Sequence, residues 1–161
     1  MSRTIQPAPV RKVLTVPATP QRAFEVFTAG FDRWWPRSHT IGKSALQEVV
    51  LEPRVGGRWY GIDDDGTETE WGDVLVWEPP ERLVLAWRIG ADWQYHADLL
   101  TEIEVTFTAL SGGATRVDFE HRLLERMGDA AASVCDAIDG PGGWTSILQN
   151  YADVVQAQRA G

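Results

Sequence analysis

Within residues 56–87 three apolar runs follow one another: Arg58-Trp59-Tyr60-Gly61-Ile62, Glu70-Trp71-Gly72-Asp73-Val74-Leu75-Val76-Trp77 and Leu83-Val84-Leu85-Ala86-Trp87. Asp64-Asp65-Gly66 separates the first from the second, and Pro79-Pro80-Glu81-Arg82 the second from the third. Both separators are turn sequences, because glycine supplies positive φ and proline presets the turn angle. The runs are rich in β-branched and aromatic residues, which predicts three antiparallel strands joined by tight turns. Four of the eight tryptophans of the chain lie here: Trp59, Trp71, Trp77 and Trp87. Large aromatics on the face of a curved sheet make a good wall for an apolar pocket. Gly57, Gly61 and Gly72 fall inside strand patterns and predict bulges, bends or close approach.

Toward the N-terminus, Val10 to Val16 reads as a first strand ended by Pro17. Thr19 is an N-cap and Pro20 a first helical residue, where a missing N–H costs nothing. Phe24 and Phe27 then share one helix face before Ala29-Gly30 stops it. Phe31 to Pro36 predicts a short second helix carrying Trp34 and Trp35, a segment placed to act as a lid with His39 beyond it. Ala45 to Leu51 is another strand. Residues 1–9, with Pro7 and Pro9, read as a flexible tail, and 10–158 as one domain.

Toward the C-terminus, Asp92 to Leu99 is a loop rich in aromatic and polar residues. Leu100 to Ala109 alternates, with Ile103, Val105 and Phe107 on one face and Glu102, Glu104 and Thr106 on the other. Ser111-Gly112-Gly113 turns the chain into Thr115 to Arg122, where Val117, Phe119 and His121 share the inward parity. Gly128 to Asp139 predicts one short helix around Ala130 to Ala137, and Gly140-Pro141-Gly142-Gly143 breaks the chain. From Trp144 onward Ile147, Leu148, Tyr151 and Val155 recur at helical spacing, which predicts a long final helix.

The chain has 161 residues, 43% of them hydrophobic and 24% charged, with a formal charge of −8. That length suits one domain burying roughly 70% of its unfolded surface. Its Lys and Arg residues are scattered, so an acidic surface repels phosphate backbones; nucleic acid is excluded as a partner, and anionic membrane is disfavoured. Cys135 is the only cysteine, which rules out an intrachain disulfide and fits a reducing, cytoplasmic setting. Met1 to Pro9 lacks the apolar core of a signal peptide, and no apolar run reaches the ~20 residues of a membrane span.

Strand, two helices, six strands and a long helix make an α+β fold: a curved antiparallel sheet of six or seven strands wrapped around the C-terminal helix. In that order the chain resembles the START-like (SRPBCC) superfamily, on Gly56-Gly57-Arg58-Trp59, Asp65-Gly66, Trp71-Gly72-Asp73-Val74, Pro79-Pro80-Glu81-Arg82-Leu83 and Gly143-Trp144. Within it the chain is similar to homologues of the activator of the ninety-kilodalton heat-shock protein ATPase. The resemblance covers roughly residues 10–158. It implies a helix-grip fold with a hydrophobic cavity between sheet and C-terminal helix. It implies members that bind small molecules or act like polyketide cyclases, with no shared catalytic motif to carry over. The chaperone-activating members are longer eukaryotic proteins with a further N-terminal domain, so a chaperone partner is a subordinate expectation.

The leading expectation is therefore a monomer or homodimer that binds a small hydrophobic or amphipathic molecule. Trp59, Trp71, Trp87, Phe107, Phe119, Trp144, Leu148 and Tyr151 are its candidate lining, or else simply fill the core. His121 is the candidate catalytic residue, an inward imidazole suited to general acid–base work; a hydrogen-bonded core histidine is the other reading. Arg88 and Tyr95, near Asp92 and Asp98 at a strand end, are candidates for fixing a ligand carboxylate. Arg58 and Glu70 read as a cross-strand ion pair. No cofactor or metal is expected. The histidines are dispersed, HExxH and CxxC are missing, and Asp63-Asp64-Asp65-Gly66 fails as a calcium loop because its twelfth position is Val74. The alternatives are a small-molecule enzyme pairing His121 with an aspartate, and an interaction module with a filled core and an apolar patch elsewhere.

Overall fold

Turn chemistry and alternating apolar residues order the chain into one continuous sheet. The structure, a computed structural model, describes residues 9–36, 44–90, 92–140 and 143–160, apart from the side chains of 158–160. The expected tail before Pro9, and His39, lie outside them. The strands are β1 (Val10–Val16), β2 (Leu46–Leu51), β3 (Arg58–Asp63), β4 (Glu68–Glu78), β5 (Arg82–Trp87), β6 (Thr101–Ala109) and β7 (Thr115–Arg122). All pair antiparallel in the order β1-β7-β6-β5-β4-β3-β2. The helices are α1 (Pro20–Thr28), α2 (Phe31–Trp34), α3 (Ala131–Asp139) and α4 (Trp144–Ala160). This is the helix-grip arrangement.

The predicted α1 start is observed: Thr19 Oγ1 accepts from the Arg22 backbone N–H at 3.3 Å, with Pro20 at the first helical position. β4 runs longer than its sequence pattern, because the β3–β4 turn is tight. The Asp63 N–H donates to the Thr67 carbonyl at 2.8 Å, and Gly66 takes φ 86°. Between β7 and α3 a 3₁₀ segment, Leu124–Ala130, adds a turn that the sequence did not announce; Leu124 is buried there.

Curvature is concentrated in β2, β3 and β4. Trp59 pairs with Gly72 but Tyr60 with Glu70, so Trp71 is an extra residue, and further bulges fall between Leu46 and Glu48 and between Val74 and Val76. Each bulge bends and twists its strand. Gly72 is required by close approach, since a Cβ there would stand 1.8 Å from the Ala86 carbonyl oxygen. At Gly61 the obstacles are softer: the Leu46 Cδ1 at 2.9 Å and the Trp71 ring at 3.1 Å.

Parity sets the two faces of the sheet. Ile103 pairs with His121, Val105 with Phe119 and Phe107 with Val117, all buried on the concave side. Their neighbours form ion pairs on the convex side, where Arg122 bonds Glu102, Glu104 and Glu120. Partial burial pushes the Glu104 carboxyl up, but the Arg82 and Arg122 guanidiniums outweigh it and hold that pKa below its ordinary value. Arg58 pairs with Glu70, as expected, and with Glu68.

The concave face is not covered by one helix, as the sequence suggested. α1 and α2 share it with α4, because a curled sheet opens a groove wider than one helix can fill. Trp144, Ile147, Leu148, Tyr151 and Val155 of α4 are buried, and the Tyr151 hydroxyl donates to the Ala23 carbonyl at 2.7 Å, tying α4 to α1. Among the described residues no helix is long and apolar enough to cross a membrane.

Gly72→Ala is expected to lower the unfolding free energy by about 3 kcal/mol or more, because β5 backbone cannot move aside without unpairing. Gly61→Ala is expected to cost less, since side chains alone must shift. Urea denaturation of both variants checks the order.

Candidate functional site

Six of the sequence-predicted site residues converge at one end of the concave face. β3 contributes Trp59, the β4 bulge Trp71, β5 Trp87, β7 Phe119 and His121, and the first turn of α4 Trp144. Their rings stand in contact. Trp59 lies 5.7 Å from Trp71 and 5.6 Å from Trp87, centroid to centroid. Trp144 lies 5.8 Å from Trp87 and 4.6 Å from Phe119. Most of these pairs meet edge-on or tilted, as aromatic quadrupoles prefer.

Trp35 completes this wall, 5.1 Å from Trp71 and 5.9 Å from Trp144. Its membership was not foreseen, because a four-residue helix has too little periodicity to assign a face. Trp34 and Trp35 are buried core rings here. The Trp34 indole N–H donates to the Val26 carbonyl at 3.0 Å.

Phe107 and Tyr151 belong to a neighbouring cluster under α1. Phe107 stands 5.3 Å from Phe24, and Tyr151 5.2 Å from Phe27. Burial raises the Tyr151 phenol above its ordinary pKa, so it stays a neutral donor. Leu148 is buried on α4.

His121 sits in a complete hydrogen-bond chain. The Trp144 indole N–H donates to His121 Nδ1 at 3.2 Å, which leaves the proton of the neutral ring on Nε2. Nε2 then donates to Thr101 Oγ1 at 3.0 Å, and that hydroxyl donates to the Trp87 carbonyl at 2.9 Å. Thr101 was overlooked in the sequence, although it shares parity with Ile103. Full burial without a counter-charge pushes the His121 pKa down to about 3. The imidazole is thus neutral, with its one lone pair engaged by Trp144. This geometry matches a hydrogen-bonded core histidine, and a general base would first have to give up that indole.

Arg88 and Tyr95 stand away from the wall. Trp87 points inward, so Arg88 points outward; its guanidinium bonds Asp73 at 2.6 Å and the Ala97 and Leu99 carbonyls at 3.1 and 3.3 Å. Those bonds engage Nε and Nη1, so a bidentate grip on a ligand carboxylate would have to displace at least one of them. Tyr95 is exposed in the loop after β5, where Ile89 bridges to it. His96 pairs with Asp92 at 2.9 Å on the same loop. Cys135 is half-buried, and burial raises its thiol pKa, which disfavours the reactive thiolate.

Two of the wall's donors lack partners. Trp59 Nε1 and Trp71 Nε1 are buried with no acceptor in reach among the described residues. Leaving a buried donor unpaired costs about 1–3 kcal/mol. Outside the wall, a mainly apolar groove of about 630 Å³ runs between α1 and the β2–β4 rim, lined by Phe24, Leu51, Trp77, Pro79 and Pro80 among others.

A fold with seven curled strands around α4 and an aromatic concave wall defines a helix-grip protein of the ligand-binding and cyclase type. Residues 17–156 match the profile of the activator of Hsp90 ATPase homolog 1-like protein family, and the chain belongs to that family. It is similar to the anthrahydroquino-γ-pyrone synthase Txn09, solved with a bound compound, at 44% identity and TM-score 0.65 over 91% of this chain and 96% of that one. It is also similar to CalC, a self-sacrificing resistance protein from Micromonospora echinospora, at 35% identity and TM-score 0.70 over 93% and 95%. The Aha1 dimer from Colwellia psychrerythraea shares the fold, at 15% identity and TM-score 0.60 over 92% and 96%. No curated protein was matched.

Because the folded histidine binds its proton far less readily than the free one (ordinary pKa ~6.5), acid favours the unfolded state. Stability is fully present above pH ~6.5 and falls by about 1.4 kcal/mol per unit as pH drops toward 3. Urea midpoints between pH 6.5 and 5, where most carboxylates stay ionised, are expected to fall for the natural protein and stay flat for His121→Gln.

Proposed function

We propose that this protein binds a flat, oxygen-bearing aromatic molecule against the Trp59–Trp71–Trp87–Trp144 wall, between the sheet and α4. The observation that carries the reading is the pair of buried indole N–H groups on Trp59 and Trp71 without acceptors among the described residues. Core tryptophans usually place that N–H on a carbonyl, as Trp34 does. A ligand carbonyl or ether oxygen would satisfy both while its rings stack among the others. Apolar burial would supply the affinity and the two donors the orientation.

The relative named as an anthrahydroquino-γ-pyrone synthase supports the same ligand chemistry, and makes ring closure of such a substrate the enzymatic form of this reading. The fully engaged His121 argues against that residue as its base and favours binding as the primary role. A second reading, an interaction module, draws on the apolar groove beside α1. Native mass spectrometry of the protein with anthraquinone would distinguish monomer from homodimer and count the ligands bound.

Isothermal titration with anthraquinone is expected to show one site per chain. Trp59→Phe and Trp71→Phe keep a ring but remove a donor, and each is expected to weaken binding about tenfold, the worth of about 1.4 kcal/mol. No binding, or affinities unchanged in both variants, would overturn the reading in favour of the groove.

A further inference from the structure

Three buried side-chain polar atoms have no partner among the described residues: Trp59 Nε1, Trp71 Nε1 and Asp63 Oδ1. All three stand on the β3–β4 hairpin. Trp59, Gly61 and Asp63 are the buried alternate positions of β3, so they share the concave face. Gly61 contributes no side chain, and the Trp71 ring packs over it. Strand geometry separates the Trp59 and Asp63 Cα atoms by about 13 Å. The hairpin's inner face thus carries two donors and, further along, one acceptor.

Asp63 is an unusual residue to find there. It is 1% exposed, and its Oδ1 meets no donor among the described residues. Its other oxygen receives a long contact, 3.4 Å, from the Ser44 N–H. Its neighbours Asp64 and Asp65 face solvent in the turn, where Asp65 caps Thr67. Burying a carboxylate without a full set of hydrogen bonds is unfavourable, so a group that supplies the missing donor would bind well.

We infer that Asp63 is a ligand-binding residue that accepts a hydrogen bond from a hydroxyl of the aromatic ligand. The inference rests on the proposed function and narrows its ligand class. The molecule carries acceptor oxygens for Trp59 and Trp71 and an O–H for Asp63, which describes a hydroxylated aromatic ketone or quinone. An unsubstituted hydrocarbon leaves all three atoms unpaired. A carboxylate-bearing ligand would meet the Asp63 charge unfavourably.

Three probes separate the possibilities: anthraquinone, its dihydroxy derivative with one phenol on each outer ring, and the dimethyl ether of that derivative. Titration calorimetry of the natural protein is expected to show the diphenol binding about tenfold or more tightly than the ether. Asp63→Leu removes the acceptor while keeping the same heavy-atom branching, and is expected to level these two probes while anthraquinone binds within about twofold of its natural affinity. Asp63→Asn keeps a weaker acceptor and should fall between. A diphenol preference that survives Asp63→Leu, or no preference in the natural protein, overturns the assignment and leaves the proposed function standing if anthraquinone still binds. If Asp63→Leu does not fold, Asp63→Asn decides: a diphenol preference undiminished in it overturns the assignment. Failure of all three probes to bind the natural protein overturns both.

Discussion

The breadth of the concave face is the constraint on which this structure depends. One bulge in β2 and two in β4 curl the sheet, and the groove so formed is wider than aliphatic side chains from one helix can fill. Aromatic rings span it instead. Tryptophan reaches from β3, β4 and β5 toward Trp35 and Trp144, and each ring packs edge-on or tilted against the next. Replacing a large ring in such a core costs about 3–5 kcal/mol, because the neighbours collapse only in part. The curl in turn depends on Gly72, which lets β4 lie against the Ala86 carbonyl.

Filling a core with indoles brings N–H donors into a place without water, and the structure handles them in two ways. On the β5–β7 side the polar atoms are closed on themselves: Trp144 to His121, His121 to Thr101, Thr101 to the Trp87 carbonyl. That chain keeps the imidazole neutral and fixes its orientation. On the β3–β4 side Trp59, Trp71 and Asp63 are left open among the described residues. One half of the same face is therefore self-sufficient in its hydrogen bonds and the other is not, and the proposed ligand reading draws on that asymmetry. The convex face differs again, with half-buried ion pairs such as Arg122 with Glu102 and Glu104 lying over the sheet.

Much of the wall was legible because strand parity is a reliable guide to sheet faces. Trp59, Phe119 and His121 alternate with polar residues, so their inward direction follows from sequence alone. The misplacements came from setting parity aside. Arg88 follows inward Trp87 and must point out, toward Asp73. Asp63 follows Trp59 and Gly61 at alternate positions and must point in, yet it reads as the first residue of an acidic turn. Thr101 has the parity of Ile103, but a threonine on a half-buried strand gives no sign of its partner. Trp35 carries no such signal, since a single helical turn has no period to read.

Six or seven antiparallel strands, a capped first helix, a long amphipathic last helix and an aromatic inner face are readable in the order of residues, because each arises from local alternation, turn chemistry or helical spacing. Tertiary structure alone decided that three helices share the groove, that the Trp71 bulge brings its ring beside Trp59, and which buried polar atoms meet. The physical reason is that hydrogen bonding is settled by distances of tenths of an ångström between residues far apart in the chain. His121 became a satisfied link because Trp144, 23 residues later, arrives 3.2 Å from its Nδ1. Asp63 Oδ1 and the two indoles remained open because nothing among the described residues arrives at all.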